Sequence, residues 1–184
     1  LKALRQNYDK KSAYKPVILV FGGGSGSRAI NEIITKNLNL ITTKYDVLHI
    51  CGDEQMCEKK TKQGYHRVPF VTDMAQAYSA ADLIMARCGS NSAWEITARG
   101  LPALYVPLKK ATRGDQIQNA KFFTENGAAL KADEDTLFGE ELLRKLDFLR
   151  NNYTSYSLAA KELFKENGAK RIAEILNDVA DESI

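Results

Sequence analysis

Six short aliphatic runs punctuate the first two-thirds of the chain: PVILVF at 16–21, DVLHIC at 46–51, HRVPF at 66–70, DLIMAR at 82–87, ALYVP at 103–107 and AALK at 128–131. Helical spacing fills most of the gaps, near 27–38, 53–62, 73–80, 91–99 and 115–125. A strand that is apolar on consecutive positions is covered on both faces, and parallel neighbours need a crossover long enough to hold a helix. The pattern predicts a doubly wound, Rossmann-like α/β domain: a parallel sheet of about six strands with helices on both faces. After residue 133 the strands stop. The segments TLFGEELLRKLDFLRNN and SYSLAAKELFKENGAKRIAEILNDVA read as two or three amphipathic helices that close the chain. Residues 1–15 are polar with five basic side chains and read as a linker, leaving 16–184 as one domain.

The bulk numbers remove several classes of function. With 26 Lys and Arg set against 23 Asp and Glu, interleaved along the chain, the net charge of +3 makes no electrostatic case for a nucleic-acid partner. No apolar run has the length of a membrane span, and the opening residues are not expected to form a signal peptide. The three cysteines, Cys51, Cys57 and Cys88, lack the paired spacing of a zinc site or a disulfide framework, which suits a reducing, cytoplasmic setting. The chain starts at Leu1 instead of Met, so the expectation is a fragment of something longer.

In open α/β sheets ligands bind beyond the carboxyl ends of the strands, so the loops there carry the argument. The first is FGGGSGSR, residues 21–28, with glycine at four of the five positions from Gly22 to Gly26. Such a turn lets main-chain N–H groups face an anion at the positive end of a helix, and a phosphate is the natural guest. A ligand-free strand-to-helix turn is the competing reading. Gly24 to Ala29 satisfies the loose dinucleotide pattern, but no acidic residue closes the second strand, since Asp53 comes too late.

The second loop, ARCGSNSAWE, brings Gly89, Ser90, Asn91 and Ser92 to a helix start, with Glu95 one turn inside. A carboxylate there can accept both hydrogen bonds of a vicinal diol. Equally, Ser92 with Glu95 fits a capping box, a feature of helices with no binding role. The third loop, PLKKATRGDQIQNA, sets Asp115, Gln116 and Asn119 at another helix start, the hydrogen-bonding mixture that sugar hydroxyls need. His49 reads as a core residue, His66 as exposed, Trp94 as packing, and Cys88 as lacking any basic partner that would make it a nucleophile. No metal-ligand spacing is present.

Taken together, VFGGGSGSRAIN, VPFVTDMAQAYSAADLIMARCGSNSAWE and GLPALYVPLKKATRGDQIQNA resemble the carboxyl-terminal half of the MurG-type glycosyltransferases, the family 28 enzymes of GT-B fold, over about residues 16–130. The resemblance implies a domain that binds UDP-GlcNAc, with no metal cofactor, for transfer of N-acetylglucosamine to a lipid-linked muramyl-pentapeptide in peptidoglycan synthesis. An amino-terminal half, absent here, would hold the acceptor, the catalytic base and any peripheral membrane contact at the inner face of the bacterial membrane. By the same resemblance Gly22, Gly23, Gly24, Ser25, Gly26 and Ser27 lie against the diphosphate, with Arg28 opening the next helix. Phe70 and Val71 present main chain to uracil with Met74 close by, and Glu95 beyond Gly89–Ser92 holds the ribose. Gln116 and Asn119, with Asp115, lie near the sugar. The sequence departs from the family at Gly24, where serine is usual, and at Asp115, where glutamine or histidine is. Arg5 matches a linker arginine only with poor spacing. Other readings are a separate donor subunit of a two-subunit GlcNAc transferase, an epimerase of the same fold, and a non-catalytic nucleotide-binding module.

Overall fold

In the computed structural model, residues 15–52, 62–108, 115–164 and 168–181 are described. Six strands form one parallel sheet: β1 (Val17–Phe21), β2 (Asp46–Ile50), β3 (Tyr65–Val68), β4 (Leu83–Ala86), β5 (Ala103–Tyr105) and β6 (Ala129–Lys131), in the order β3-β2-β1-β4-β5-β6. This is the doubly wound arrangement expected, with a strand for each of the six aliphatic runs. The chain reverses its direction of travel across the sheet between β1 and β4, whose facing ends pair Phe21 with Ala86. Loops after these two strands therefore diverge to opposite faces and leave a crevice between them.

The helices are α1 (Arg28–Ile41), α2 (Met74–Ala80), α3 (Ser90–Ala98), α4 (Asp115–Glu125), α5 (Glu140–Asn151), α6 (Tyr153–Leu163) and α7 (Gly168–Asp181), with a 3-10 turn at Glu134–Thr136. Alternation along β1 assigns them to two faces. Val17, Leu19 and Phe21 join residues of α2, α3, α4 and α6 in one core layer. Ile18 and Val20 point the other way, onto α1 and α5. Helix α1 shows why its segment folds as it does: Ile30, Ile33, Ile34, Leu38 and Ile41 make one apolar stripe, and all are buried. Each such side chain removed from water contributes roughly 1.5–3 kcal/mol before the entropy of ordering is counted. Asp82 adds a polar tie, accepting the Val17 N–H at 2.8 Å.

Two details depart from the sequence reading. The third strand starts at Tyr65 and is only half covered, because it is the edge of the sheet. Helix α7 has the amphipathic pattern expected of it, yet Ile172, Ile175, Leu176 and Val179 are exposed along it. The helix expected at 53–62 lies outside the described residues except for Lys62, which forms an isolated bridge with Tyr65. Nearly all of the linker-like segment 1–15 and the residues from Lys109 to Gly114 also lie outside them.

Candidate nucleotide-binding crevice

The glycine loop runs from the buried end of β1 to the first turn of α1, and its four glycines have different reasons to be there. A methyl group on Gly26 would lie 2.5 Å from the Cys51 carbonyl oxygen, and its φ of +77° already excludes most side chains. One on Gly22 would lie 2.3 Å from the Ser27 nitrogen. These two positions are closed by the protein's own backbone. Gly24 is different: its φ is not positive, and a Cβ there would meet nothing within 4 Å. Gly23, Gly24 and Ser25 form the exposed crest of a turn closed by the Gly26 N–H donating to the Gly23 carbonyl at 3.1 Å. Ser27 caps the helix, its Oγ accepting the Ile30 N–H at 3.4 Å, and Arg28 stands exposed at the first helical position. The open crest at a helix N-terminus has the shape and polarity for an anion.

Across the crevice, β4 is followed directly by Arg87, a residue that the sequence reading passed over as part of a strand. Only 7% of it is exposed, and each of its guanidinium nitrogens has a partner. Nε donates to Ser27 Oγ at 3.2 Å and Nη1 to the Val106 carbonyl at 2.8 Å. Nη2 lies 2.9 Å from Glu134 Oε2 as an ion pair without hydrogen-bond alignment. One buried cation thus joins the glycine loop, the end of β5 and the turn after β6. A lone Arg after LIMA has no distinctive pattern; the nearest signal was a charge at the end of an otherwise apolar strand.

The capping-box reading of the next helix does not hold. The N-cap of α3 is Gly89, with no side chain bonded to the first-turn amides, and Ser92 is the third helical residue. Freed of that role, Glu95 reaches toward α2, where Oε2 accepts the Tyr78 hydroxyl at 3.0 Å. Tyr78 is itself buried, against Phe21 on one side and with the Arg99 guanidinium 4.7 Å from its ring centre. Burial and the neighbouring Glu95 carboxylate raise the Tyr78 pKa far above the usual tyrosine value, so the phenol is a permanent donor. The carboxylate is held on the exposed surface of α3 by a rigid anchor.

The third loop is stitched to the second. Asn119 Nδ2 donates to the Cys88 carbonyl at 3.1 Å, and Gln116 Oε1 accepts the Leu108 N–H at 3.0 Å. Asp115 is exposed at the start of α4. At the far side of the crevice, beyond β3, Phe70 is 65% exposed while Val71 and Met74 pack against the core. Asp73 caps α2 by accepting the Ala75 and Gln76 N–H groups. Cys88 is buried, with its thiol pushed up to about 12 by desolvation, and stays unreactive. The structure brings Gly22–Arg28, Gly89–Glu95, Asp115, Gln116 and Asn119 to the carboxyl edge of the sheet, with Phe70, Val71 and Met74 at the same edge beyond β3.

The order of strands, the glycine turn and the three loops can now be compared with known proteins. Residues 17–176 match the family model described as the glycosyltransferase family 28 C-terminal domain. The chain belongs to glycosyltransferase family 28. A protein of Clostridium botulinum (strain Kyoto / Type A2), named UDP-N-acetylglucosamine--N-acetylmuramyl-(pentapeptide) pyrophosphoryl-undecaprenol N-acetylglucosamine transferase, is 37% identical over 165 residues, covering 88% of this chain and 47% of its own length. The crystal structure of Acinetobacter baumannii MurG superposes with a TM-score of 0.75 at 26% identity, covering 96% of this chain and 52% of that one. CalG4, a calicheamicin glycosyltransferase, shares the fold, with a TM-score of 0.73 at 14% identity, covering 97% of this chain and 47% of its own. This family 28 chain spans about half the length of the curated relatives that it matches, and its architecture is that of one half of a GT-B glycosyltransferase.

Proposed function

We propose that residues 16–184 are the UDP-GlcNAc-binding domain of an inverting transferase that adds N-acetylglucosamine to lipid-linked N-acetylmuramyl-pentapeptide. The observation that carries this reading is the 37% identity, over 88% of the chain, to a protein named for that reaction. The geometry is compatible with it. The diphosphate lies on the crest of Gly22–Ser27 at the α1 N-terminus, with Arg28 beside it. Glu95, anchored by Tyr78, accepts the ribose hydroxyls. The main chain at Phe70 and Val71, near Met74, borders the uracil. Asp115, Gln116 and Asn119 border the sugar, using the amide atoms left over from their bonds to Leu108 and Cys88.

Chemically, attack by the acceptor hydroxyl on the anomeric carbon breaks the bond to UDP and leaves negative charge on the diphosphate. Main-chain amides and helix dipoles already oriented toward that charge stabilise it without reorganising. The attacking hydroxyl needs a base, which we assign to the acceptor-binding half of the whole enzyme, on the cytoplasmic face of the membrane. Residues 1–15 act as the connection to that half.

Calorimetric titration of this chain with UDP, UDP-GlcNAc and NAD tests the reading. UDP and UDP-GlcNAc should bind and NAD should not. Binding of NAD alone would replace it with a dinucleotide-binding module, and glycosyl transfer by these 184 residues alone would overturn the assignment of the base.

A further inference from the structure

Beneath the glycine loop lies a buried polar chain that the binding site does not itself use. His49 on β2 is fully buried, and Asn31 on α1 nearly so. His49 Nδ1 is 2.9 Å from the Tyr65 hydroxyl, His49 Nε2 is 3.0 Å from Asn31 Oδ1, and Asn31 Nδ2 donates to the Cys51 carbonyl at 3.0 Å. Each step dictates the next. The Cys51 oxygen can only accept, so the Asn31 amide turns its NH2 there and its oxygen toward His49. That oxygen can only accept in turn, so Nε2 carries the proton and Nδ1 receives the Tyr65 hydroxyl. Burial, with the Arg67 charge adding to it, lowers the His49 pKa to about 4, which keeps this single tautomer at neutral pH.

The far end of the chain is the surface on which the glycine loop rests. The Cys51 oxygen is the atom that a Cβ on Gly26 would meet, and a Cβ on Gly52 would lie 2.7 Å from Gly26 Cα and 2.8 Å from the Ser25 oxygen. The height of Cys51 and Gly52 therefore sets the height of Ser25 and Gly26. We infer that His49 is a positioning residue for the phosphate-facing loop, acting through Asn31 and the Cys51 carbonyl. The inference rests on the proposed UDP-binding reading. An apolar residue at 49 would take away the N–H that Asn31 Oδ1 accepts, so the amide would no longer be held in the place that aims its NH2 at the Cys51 oxygen, and the support under the loop would loosen.

The test separates the phosphate end of the ligand from the base end. UDP and uridine are titrated into wild type, His49→Leu and His49→Gln by NMR at a temperature where circular dichroism shows each protein folded. Glutamine keeps an N–H donor for Asn31; leucine does not. For His49→Leu, UDP affinity should fall about ten-fold, the cost of a misplaced amide, while uridine affinity stays within two-fold. His49→Gln should bind UDP within about three-fold of wild type. Tyr65→Phe removes one hydroxyl and keeps the ring; should His49→Leu fail to fold, it should show the same UDP-selective loss, about three-fold. Equal losses for both ligands, or UDP affinity unchanged in a folded His49→Leu, overturn the inference. If wild type binds neither ligand, the functional reading itself fails and removes the basis of the inference.

Discussion

Gly24 and Gly26 stand two residues apart in one loop, yet alanine at each should have opposite consequences. At Gly26 the backbone must hold a φ of +77°, which costs an L-residue about 1–2 kcal/mol. The new methyl would also sit 2.5 Å from the Cys51 oxygen, well inside contact, and the atoms that it meets are all backbone. Relieving an overlap of that kind adds about 1–3 kcal/mol. The sum, about 2–5 kcal/mol, should lower the melting temperature by about 5–15 °C in a domain of this size. At Gly24 nothing lies within 4 Å and the φ is not positive, so alanine restricts only the unfolded chain. That should stabilise the protein by about 0.4–1 kcal/mol and raise the melting temperature by about 1–3 °C. Serine is usual at this position in the family that the sequence resembles, so a side chain on the open crest leaves room for the diphosphate. Gly24→Ala should therefore bind UDP within about three-fold of wild type, whereas Gly26→Ala, by lifting the loop off Cys51, should weaken UDP about ten-fold, the cost of a lost hydrogen bond to a charged oxygen. Thermal melts by circular dichroism and calorimetric titration with UDP read both effects. If Gly24→Ala lost UDP binding about ten-fold, the crest would not have room for the side chain that the family carries there. If Gly26→Ala melted with wild type, the loop would not rest on Cys51 as described.

Three further outcomes follow from other parts of the structure. The His49 pKa, about 4 in the fold against an ordinary 6.5, means that between those values the unfolded chain takes up a proton that the folded chain refuses; stability is complete above pH 6.5 and falls as the pH drops toward 4, by about 3 kcal/mol in all. Urea midpoints across that range should show this slope, and His49→Gln should flatten it. Arg87→Met should cost about 2–3 kcal/mol in urea denaturation, because it leaves Glu134 without its counter-charge and takes from Ser27 Oγ one of its two donors; an unchanged midpoint would show that the junction contributes nothing. Tyr78→Phe keeps the buried ring and removes the hydroxyl that orients Glu95, so it should cost about 1 kcal/mol or less of stability while weakening UDP binding about three-fold; calorimetry showing unchanged affinity would separate Glu95 from the ribose.

How far the sequence could be read depended on the range of the interaction involved. Strands and helices were legible because their signal is local: Ile30, Ile33, Ile34, Leu38 and Ile41 mark a helix face by spacing alone, and the glycine run marks a turn. Such patterns were sufficient for the parallel α/β class and for the loops that carry the crevice. Even the edge position of β3 leaves a trace, since YHRV is the least apolar of the six strands. The capping box failed for the reason it was attractive. Ser92 and Glu95 have the right spacing, but the helix begins earlier, at Ser90, and spacing does not mark the first turn.

What the tertiary structure decided were partnerships between residues far apart in the chain. Tyr78 with Glu95, Arg87 with Ser27 and Glu134, and His49 with Asn31 and Tyr65 join different elements, and no periodicity announces them. A buried polar group must find its partner wherever the fold places one. The glycines divide the same way: the sequence marked four as a loop, and only the packing of Gly26 on Cys51 separated those that the protein needs from the open one at Gly24. Short-range sterics and side-chain periodicity belong to the sequence, because neighbours in the chain are always neighbours in space. Desolvation and hydrogen-bond satisfaction belong to the folded structure, because they depend on what folding brings together.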